Sequence, residues 1–224
     1  YSNAGIPAIH LSNEMADELI KVVGRTRKNI PKTMNKSLKT VSFKLPVSIY
    51  ASVDLNPIQS RAANVVGLIQ SGNRKYRNEY IVIGAHFDHL GMGGAGTGSR
   101  KPDTTGTHIG ADDNASGTSG LLELAHKLVT HKSRLKRSII LLGFDAEEKG
   151  LLGAKYFMEN PLFNLENITA MINLDMIGRM KDSSVTVGGV GTSPLFEPLL
   201  KKESIGRNFT LNMTKPGYGP SDHA

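Results

Sequence analysis

From Ala63 onward, short apolar runs alternate with helical patterns. "NVVGLIQ", "YIVIGA", "SIILLGF" and "ITAMINLD" are each dominated by apolar residues and read as buried strands with no polar face for solvent. "SSVTVGGVG" reads as a further strand. Between them, "ASGTSGLLELAHKLVTH" sets Leu121, Leu122, Leu124, Ala125 and Leu128 along one broad face, the pattern of a helix packed on a sheet. "GLLGAKYFMEN" and "SPLFEPLLKKESIG" read as two more helices, the second ended by Gly206. Such alternation predicts an α/β fold: a three-layer α/β/α arrangement around a mostly parallel central sheet.

Residues 1 to 55 keep a different rhythm and predict a small β-rich segment. "AGIPAIHLS" reads as a short strand, and "NEMADELIKVVG" as a helix with Asn13 as N-cap and Gly24 as its stop. A basic loop, "RTRKNIPKTMNKSLKT", leads to "VSFKLPVSIYASVD", a strand pair or one long strand that Pro46 confines to an edge or bulge. "LNPIQSRA" then joins this segment to the larger region.

Composition narrows the classes. The 224 residues suffice for one large domain, or for one domain and a piece of another. Net charge is +7, from 27 Lys and Arg against 20 Asp and Glu, but the basic residues are scattered and do not alternate with aromatics. A solvated basic surface accounts for them, and nucleic-acid binding is not indicated. There is no cysteine, hence no disulfide framework. No apolar run reaches the roughly 18 residues that a membrane-spanning helix needs. No signal peptide is visible; the start at Tyr1 and the abrupt "GPSDHA" end lead us to expect a piece of a longer protein.

The chemistry gathers at strand ends. "IVIGA" runs into His86 with Asp88 next but one, "SIILLGF" into Asp145, Glu147 and Glu148, and "AMINL" into Asp175. "GADDNASG" puts Asp112 and Asp113 just before a helix. In open α/β sheets ligands bind beyond the carboxyl ends of the strands, so parallel neighbours would bring all four groups to one rim. Crowded carboxylates repel unless cations lie among them, and mixed imidazole and carboxylate donors suit zinc, with manganese or cobalt as substitutes. Each element alone has an ordinary explanation: a solvated helix start for the glutamates, a helix cap for "GADDN", a strand cap for Asp175. Their coincidence on one rim does not.

Other motifs carry less. "GMGGAG" matches a dinucleotide-binding glycine pattern, but "TGSRKPDTTGT" follows it and cannot open the helix that pattern requires. The loop reads instead as a mobile rim of the site. His89 stands three residues after His86, yet the two-histidine helix of the zincin proteases is absent, so His89 reads as structural or as a pocket wall. His108 reads as solvated loop, His126 and His131 as surface, and Met171, Met176 and Met180 as core. There is no nucleophile elbow of the serine-hydrolase type.

"NVVGLI", "IVIGAHFDHLG", "GADDNASG", "FDAEEKGLLGAKYF", "MINLDMIGR" and "GYGPSDHA" together resemble the di-zinc exopeptidase family of secreted bacterial aminopeptidases, whose fold glutamate carboxypeptidase and glutaminyl cyclase share. Residues 1–55 resemble part of a protease-associated domain, and residues 56–224 the catalytic domain without its C-terminal part. The resemblance implies two Zn2+ ions, with His86 and Asp175 on the first, Asp113 bridging, and Glu148 on the second. It implies Asp112 as a non-ligand, Asp88 as the residue orienting His86, Glu147 as general base toward a metal-bridging water, and Tyr218 as a donor to the oxyanion. The family's last ligand is a histidine in a Tyr-His motif downstream of "SDH"; His223 belongs to the upstream motif, which would leave the second zinc with Asp113 and Glu148 alone.

The implied activity is removal of N-terminal residues from peptide substrates by an exported enzyme of unspecified oligomeric state. A carboxypeptidase, with Arg100, Lys101 or Arg179 receiving the terminal carboxylate, a glutaminyl cyclase, and a receptor-like binding domain that has lost catalysis stay open.

Overall fold

A computed structural model describes residues 9–50 and 59–224. The chain divides into two units, residues 1–58 and 59–224.

In the first unit the described residues form two helices. Helix α1 (Asn13–Lys21) is capped by Ser12, whose Oγ accepts the Met15 N–H at 3.2 Å, one residue earlier than the expected Asn13. Helix α2 (Asn29–Ser37) occupies the stretch expected to be a basic loop. Pro31 sits in its first turn, where a missing N–H costs no helix bond. Leu38 closes it at φ 52°, its N–H donating to the Met34 carbonyl at 2.7 Å. No strand forms among described residues 9–12 or 41–50, against the expected β-rich segment. Val47, Ile49 and Tyr50 are exposed there, and Pro46 offers no N–H to a ladder. The remainders of "AGIPAIHLS" and "VSFKLPVSIYASVD" lie outside the described residues.

The second unit is built on a four-stranded sheet: β1 (Val65–Ile69), β2 (Tyr80–His86), β3 (Ser138–Phe144) and β4 (Ile168–Asn173), in the order β1-β3-β2-β4. β2 is parallel to both β3 and β4, while β1 runs antiparallel to β3 at the edge. Helix α3 (Gly117–Thr130) covers one face, where Leu121 packs with Ile69, Ile83, Ala85 and Ile139. Helix α4 (Leu152–Glu159) covers the other, where Ala154 and Phe157 meet Val82, Ile140, Leu142 and Phe144. Adjacent strand residues thus serve opposite cores, which is why both parities along β2 and β3 are apolar. Gly84 keeps the second core closed: a Cβ there would lie 2.6 Å from the Phe144 ring.

Strand β5 (Ser184–Val187) does not join this sheet. It pairs in parallel with β6 (Thr210–Met213), a strand the apolar pattern does not reveal, across helix α5 (Phe196–Ser204). Of the three methionines expected in the core, Met171 packs there, whereas Met176 and Met180 are exposed. Among the described residues no helix is long and apolar enough to cross a membrane.

The register aligns the strand ends. His86 pairs with Phe144, and Gly84 with Asn173. The ladder continues one step further, with Phe87 N–H donating to Phe144 O at 3.0 Å and Leu174 N–H to Gly84 O at 2.8 Å. His86, the Asp145–Glu148 turn and Asp175 therefore leave the sheet side by side.

Candidate metal centre

His86 is almost fully buried at the end of β2. Its Nδ1–H donates to the Asp88 backbone carbonyl at 3.1 Å, which leaves Nε2 as the electron-pair donor. That Nε2 lies 3.3 Å from Asp113 Oδ1 and 3.6 Å from Asp175 Oδ1. The Asp88 carboxylate, 3.6 Å from His86 Nδ1, has other partners: Oδ1 accepts the Glu147 N–H at 3.0 Å and Oδ2 the Glu148 N–H at 3.2 Å. Asp88 thus ties the turn after β3 to the end of β2. Ala146 enters that turn at φ 56°, a region that costs an alanine roughly 1 kcal/mol. Asp145 helps hold it there, accepting the Ala146 N–H at 2.8 Å and the Ala63 N–H at 2.9 Å. Asp145 is therefore a turn residue, and Glu147 and Glu148 carry their carboxylates to the rim.

Before α3 the chain makes a wide turn, Ala111–Ser116, in which Asp113 and Asn114 leave helical geometry and the peptide between them is cis. The two aspartates part company there. Asp112 Oδ1 accepts the Gly178 N–H at 2.9 Å, and Arg179 Nε stands 4.0 Å from its Oδ2; Asp113 faces His86. Asn114 was not singled out from sequence. Its Nδ2 donates to Leu174 O at 3.0 Å, and its Oδ1 accepts the N–H groups of Gly117 at 3.0 Å and Met176 at 3.2 Å. It clamps the loop carrying Asp175 to the start of α3. Its sequence signal was an Asn three residues before Gly117, a capping arrangement. Asn114→Ala should destabilise the protein by about 1–3 kcal/mol for each buried group left unpaired, read as a lower denaturant midpoint. An unchanged midpoint would show that water replaces the clamp.

Ser221 and Asp222 were also missed, although "SDH" was quoted. Ser221 Oγ donates to Asp175 Oδ2 at 2.7 Å and accepts from Asn173 Nδ2 at 2.7 Å, so it fixes Asp175 from behind. Asp222 is 4% exposed and neither carboxylate oxygen has a hydrogen bond. Neither Tyr218, 85% exposed, nor His223, also exposed, joins the converging donors among the described residues.

The donors form two groups: His86, Asp113 and Asp175, and His89, Asp113 and Glu148, with the donor atoms of each group within 4.8 Å of one another. Asp113 belongs to both. Asp175 Oδ1, Glu148 Oε1 and His89 Nδ1 are buried without hydrogen-bond partners, an arrangement that costs free energy unless something else satisfies them. A divalent cation in each group would do so, and the nitrogen and oxygen donors suit zinc. The residues present fit the metal.

The model of peptidase family M28 matches residues 64–224, which include every residue of both groups. The chain belongs to peptidase family M28. It is 36% identical over 104 residues to a "Probable zinc metalloprotease" of Pyrenophora tritici-repentis, a match covering 46% of this chain and 22% of that protein. Its fold resembles a zinc aminopeptidase from Bacillus subtilis (TM-score 0.51, 28% identity, 71% of this chain and 36% of that one). It also resembles the glutaminyl cyclase of Porphyromonas gingivalis (TM-score 0.54, 24% identity, 71% and 57%), which speaks to the fold alone. The chain thus matches only about a fifth of the length of the fungal protein.

In this M28 chain the anions shape one another's ionisation. Burial pulls the His86 imidazole down, but Asp175, Glu147 and the Asp88 carbonyl outweigh it and raise it to about 9. Burial pushes Glu147 up to about 7 against the opposing His86 charge, with Asp222, Asp175 and Glu148 adding to the rise. Burial likewise lifts Asp222 to about 6, opposed by His86. The nearby His86 imidazole, and after it the Ser221 hydrogen bond, hold Asp175 below its ordinary value.

Three of these groups hold protons more tightly folded than unfolded. Their contributions are complete below the unfolded values, near 4 for the carboxyls and 6.5 for His86, and are lost as pH rises through about 6, 7 and 9. Asp175 acts oppositely, but only near and below its ordinary value of 3.8. The EDTA-treated protein should therefore melt at progressively lower temperature from pH 5 to pH 9. Rising stability across that range would show that these anions do not meet.

Proposed function

We propose that the chain carries the centre of a two-zinc aminopeptidase that hydrolyses the peptide bond next to a free N-terminus. The observation supporting this most is the pair of donor groups that share Asp113, with Glu147 close enough to feel His86, Asp175 and Glu148. His86 and Asp175 would hold one ion, Glu148 the other, and Asp113 both. Bound there, zinc supplies Lewis acidity to the attacking water and the scissile carbonyl.

The chain's residues do the proton work. Glu147 is the general base: its carboxylate takes a proton from the attacking water as the water oxygen bonds to the carbonyl carbon. It returns that proton to the amide nitrogen as the C–N bond breaks, so the products are a free amino acid and a shortened peptide. Backbone bonds from Glu147 and Glu148 to Asp88 fix the turn, so the base keeps its direction while it changes charge. Tyr218 is the proposed donor to the developing oxyanion. The anions around Glu147, with Asp222 among them, suit a substrate ammonium better than a carboxylate. Arg179, one candidate for a carboxylate receptor, instead leans toward Asp112. Export of the protein rests on the family resemblance.

Aminoacyl-p-nitroanilides test this reading. Turnover should vanish with EDTA, return with zinc, and fail on N-acetylated analogues. Cleavage that requires a free carboxyl-terminus would make the protein a carboxypeptidase, and ring closure of N-terminal glutamine a cyclase. Zinc uptake without any turnover would make it a binding domain.

A further inference from the structure

Basic residues that are scattered in the sequence meet at one end of the sheet. The turn from β1 to β2 carries Arg74, Lys75 and Arg77, and the connection from α3 to β3 carries Lys132, Arg134, Lys136 and Arg137. The end of β1 and the starts of β2 and β3 lie together, since Ile69 pairs with Ile139 and Tyr80 with Ser138. Both basic runs therefore lie at the end of the sheet opposite the donor groups. Two buried serines tie them to each other. Ser71 Oγ donates to the Leu135 carbonyl at 2.6 Å, Ser138 Oγ donates to the Arg77 carbonyl at 2.6 Å, and Ser138 Oγ accepts the Ser71 N–H at 3.0 Å. Arg137 is engaged internally: its Nε donates to Glu79 Oε2 at 2.7 Å and its guanidinium lies 5.3 Å from the centre of the Tyr76 ring. Arg74, Lys75, Arg77, Lys132, Arg134 and Lys136 are exposed.

Charge is divided between the two ends of the second unit. Residues 71–79 and 126–137 hold eight basic residues and one acid, Glu79, a net +7. The rest of residues 59–224 holds eleven basic residues and fifteen acids, a net −4, and eight of those acids, from Asp88 to Asp222, belong to the rim segments. Two further acids, Glu159 and Glu166, stand on the β4 side of the basic end. A body charged in this way orients on an extended anionic surface with its basic end inward. Val129, at the end of α3, and Leu162, in the connection from α4 to β4, are exposed at the same end. Apolar side chains beside lysine and arginine suit a lipid interface. The aromatics of this end are engaged, Tyr76 by Lys75 and Arg137 and Tyr80 by Phe163, which leaves nucleic-acid bases without a stacking platform among the described residues.

We propose that this end of the second unit is a docking surface for an anionic phospholipid bilayer. Headgroup phosphates meet the exposed cations, Val129 and Leu162 reach the acyl boundary, and the acidic rim at the other ends of the strands is turned toward solvent. The inference goes beyond the peptidase reading and does not depend on it.

Co-sedimentation with vesicles tests it. At about 0.1 M NaCl the protein should bind phosphatidylcholine vesicles containing about 30% phosphatidylglycerol and ignore pure phosphatidylcholine; at about 0.5 M, where charges are screened over about half the distance, it should be released. Lys132→Glu, Arg134→Glu and Lys136→Glu together should lower the partition coefficient at least about tenfold. The same reversal of three exposed charges at α2, Lys28→Glu, Lys32→Glu and Lys36→Glu, should lower it less than about threefold. Arg74→Gln with Arg77→Gln, on the other turn, should weaken binding in the same direction, so that loss of fold in one variant does not decide the outcome. Equal losses in the two triple variants would show that net charge alone drives binding and would overturn the proposal, as would failure to bind the phosphatidylglycerol vesicles. Tighter binding of a DNA duplex than of the vesicles, lost in the same variants, would make the surface a nucleic-acid site and overturn it too. Each of these outcomes leaves the metal centre and its proposed chemistry standing.

Discussion

Glu147→Gln should lower kcat by about 10²–10⁴-fold, the range that a positioned acid–base group contributes, while metal content stays at the wild-type level. The substitution preserves shape and leaves the backbone bonds from 147 and 148 to Asp88 in place, so the turn should survive. It removes only the ability to take up and release a proton. The metal-free wild-type carboxyl, raised to about 7 mainly by burial, is suited to both halves of that task near neutral pH. Cations in the two donor groups favour its ionised form, so the acid limb of the wild-type rate profile should fall below that value. A variant within a few-fold of wild-type turnover would remove Glu147 as the base.

Asp113→Asn should weaken both metal equivalents together, by more than the 10–100-fold that loss of an outer hydrogen-bonding partner costs. Asp113 is the only residue common to the two donor groups among the described residues. Asparagine keeps the volume but presents a single neutral oxygen in place of a charged carboxylate. His86→Ala, by contrast, should release one equivalent and leave the group around Glu148 intact. Loss of only one equivalent from Asp113→Asn would show that the two groups do not share this carboxylate. Chelator competition on the two variants separates the cases.

Legibility followed the range of the interactions. The strand ends were readable because a strand buried on both faces must be an unbroken apolar run, and polar residues at its carboxyl end then have one destination. In the N-terminal unit helix α1 was legible, but Val41–Tyr50 has strand-like composition and no described partner strand, and Pro31 at the start of α2 looked like loop chemistry. Asp112 and Asp113 are adjacent and chemically alike; resemblance separated them, and the physical difference is the Gly178 N–H that engages Asp112 from 66 residues away. His89 read as structural or a pocket wall; what its ring meets, Gly110 21 residues further on and Glu148 on another strand's turn, no local motif shows.

What the amino-acid order determined by itself was the α/β alternation, the strand ends that carry His86, Asp145, Glu147, Glu148 and Asp175, and the crowding of like charges expected there. All three follow from local patterning and from the charges the side chains must carry. Only the tertiary structure decided direction: which aspartate faces His86, which oxygen Ser221 engages, and that His89 closes on Glu148. Direction depends on contacts between segments remote in the chain, and no local pattern encodes where a distant backbone N–H will arrive.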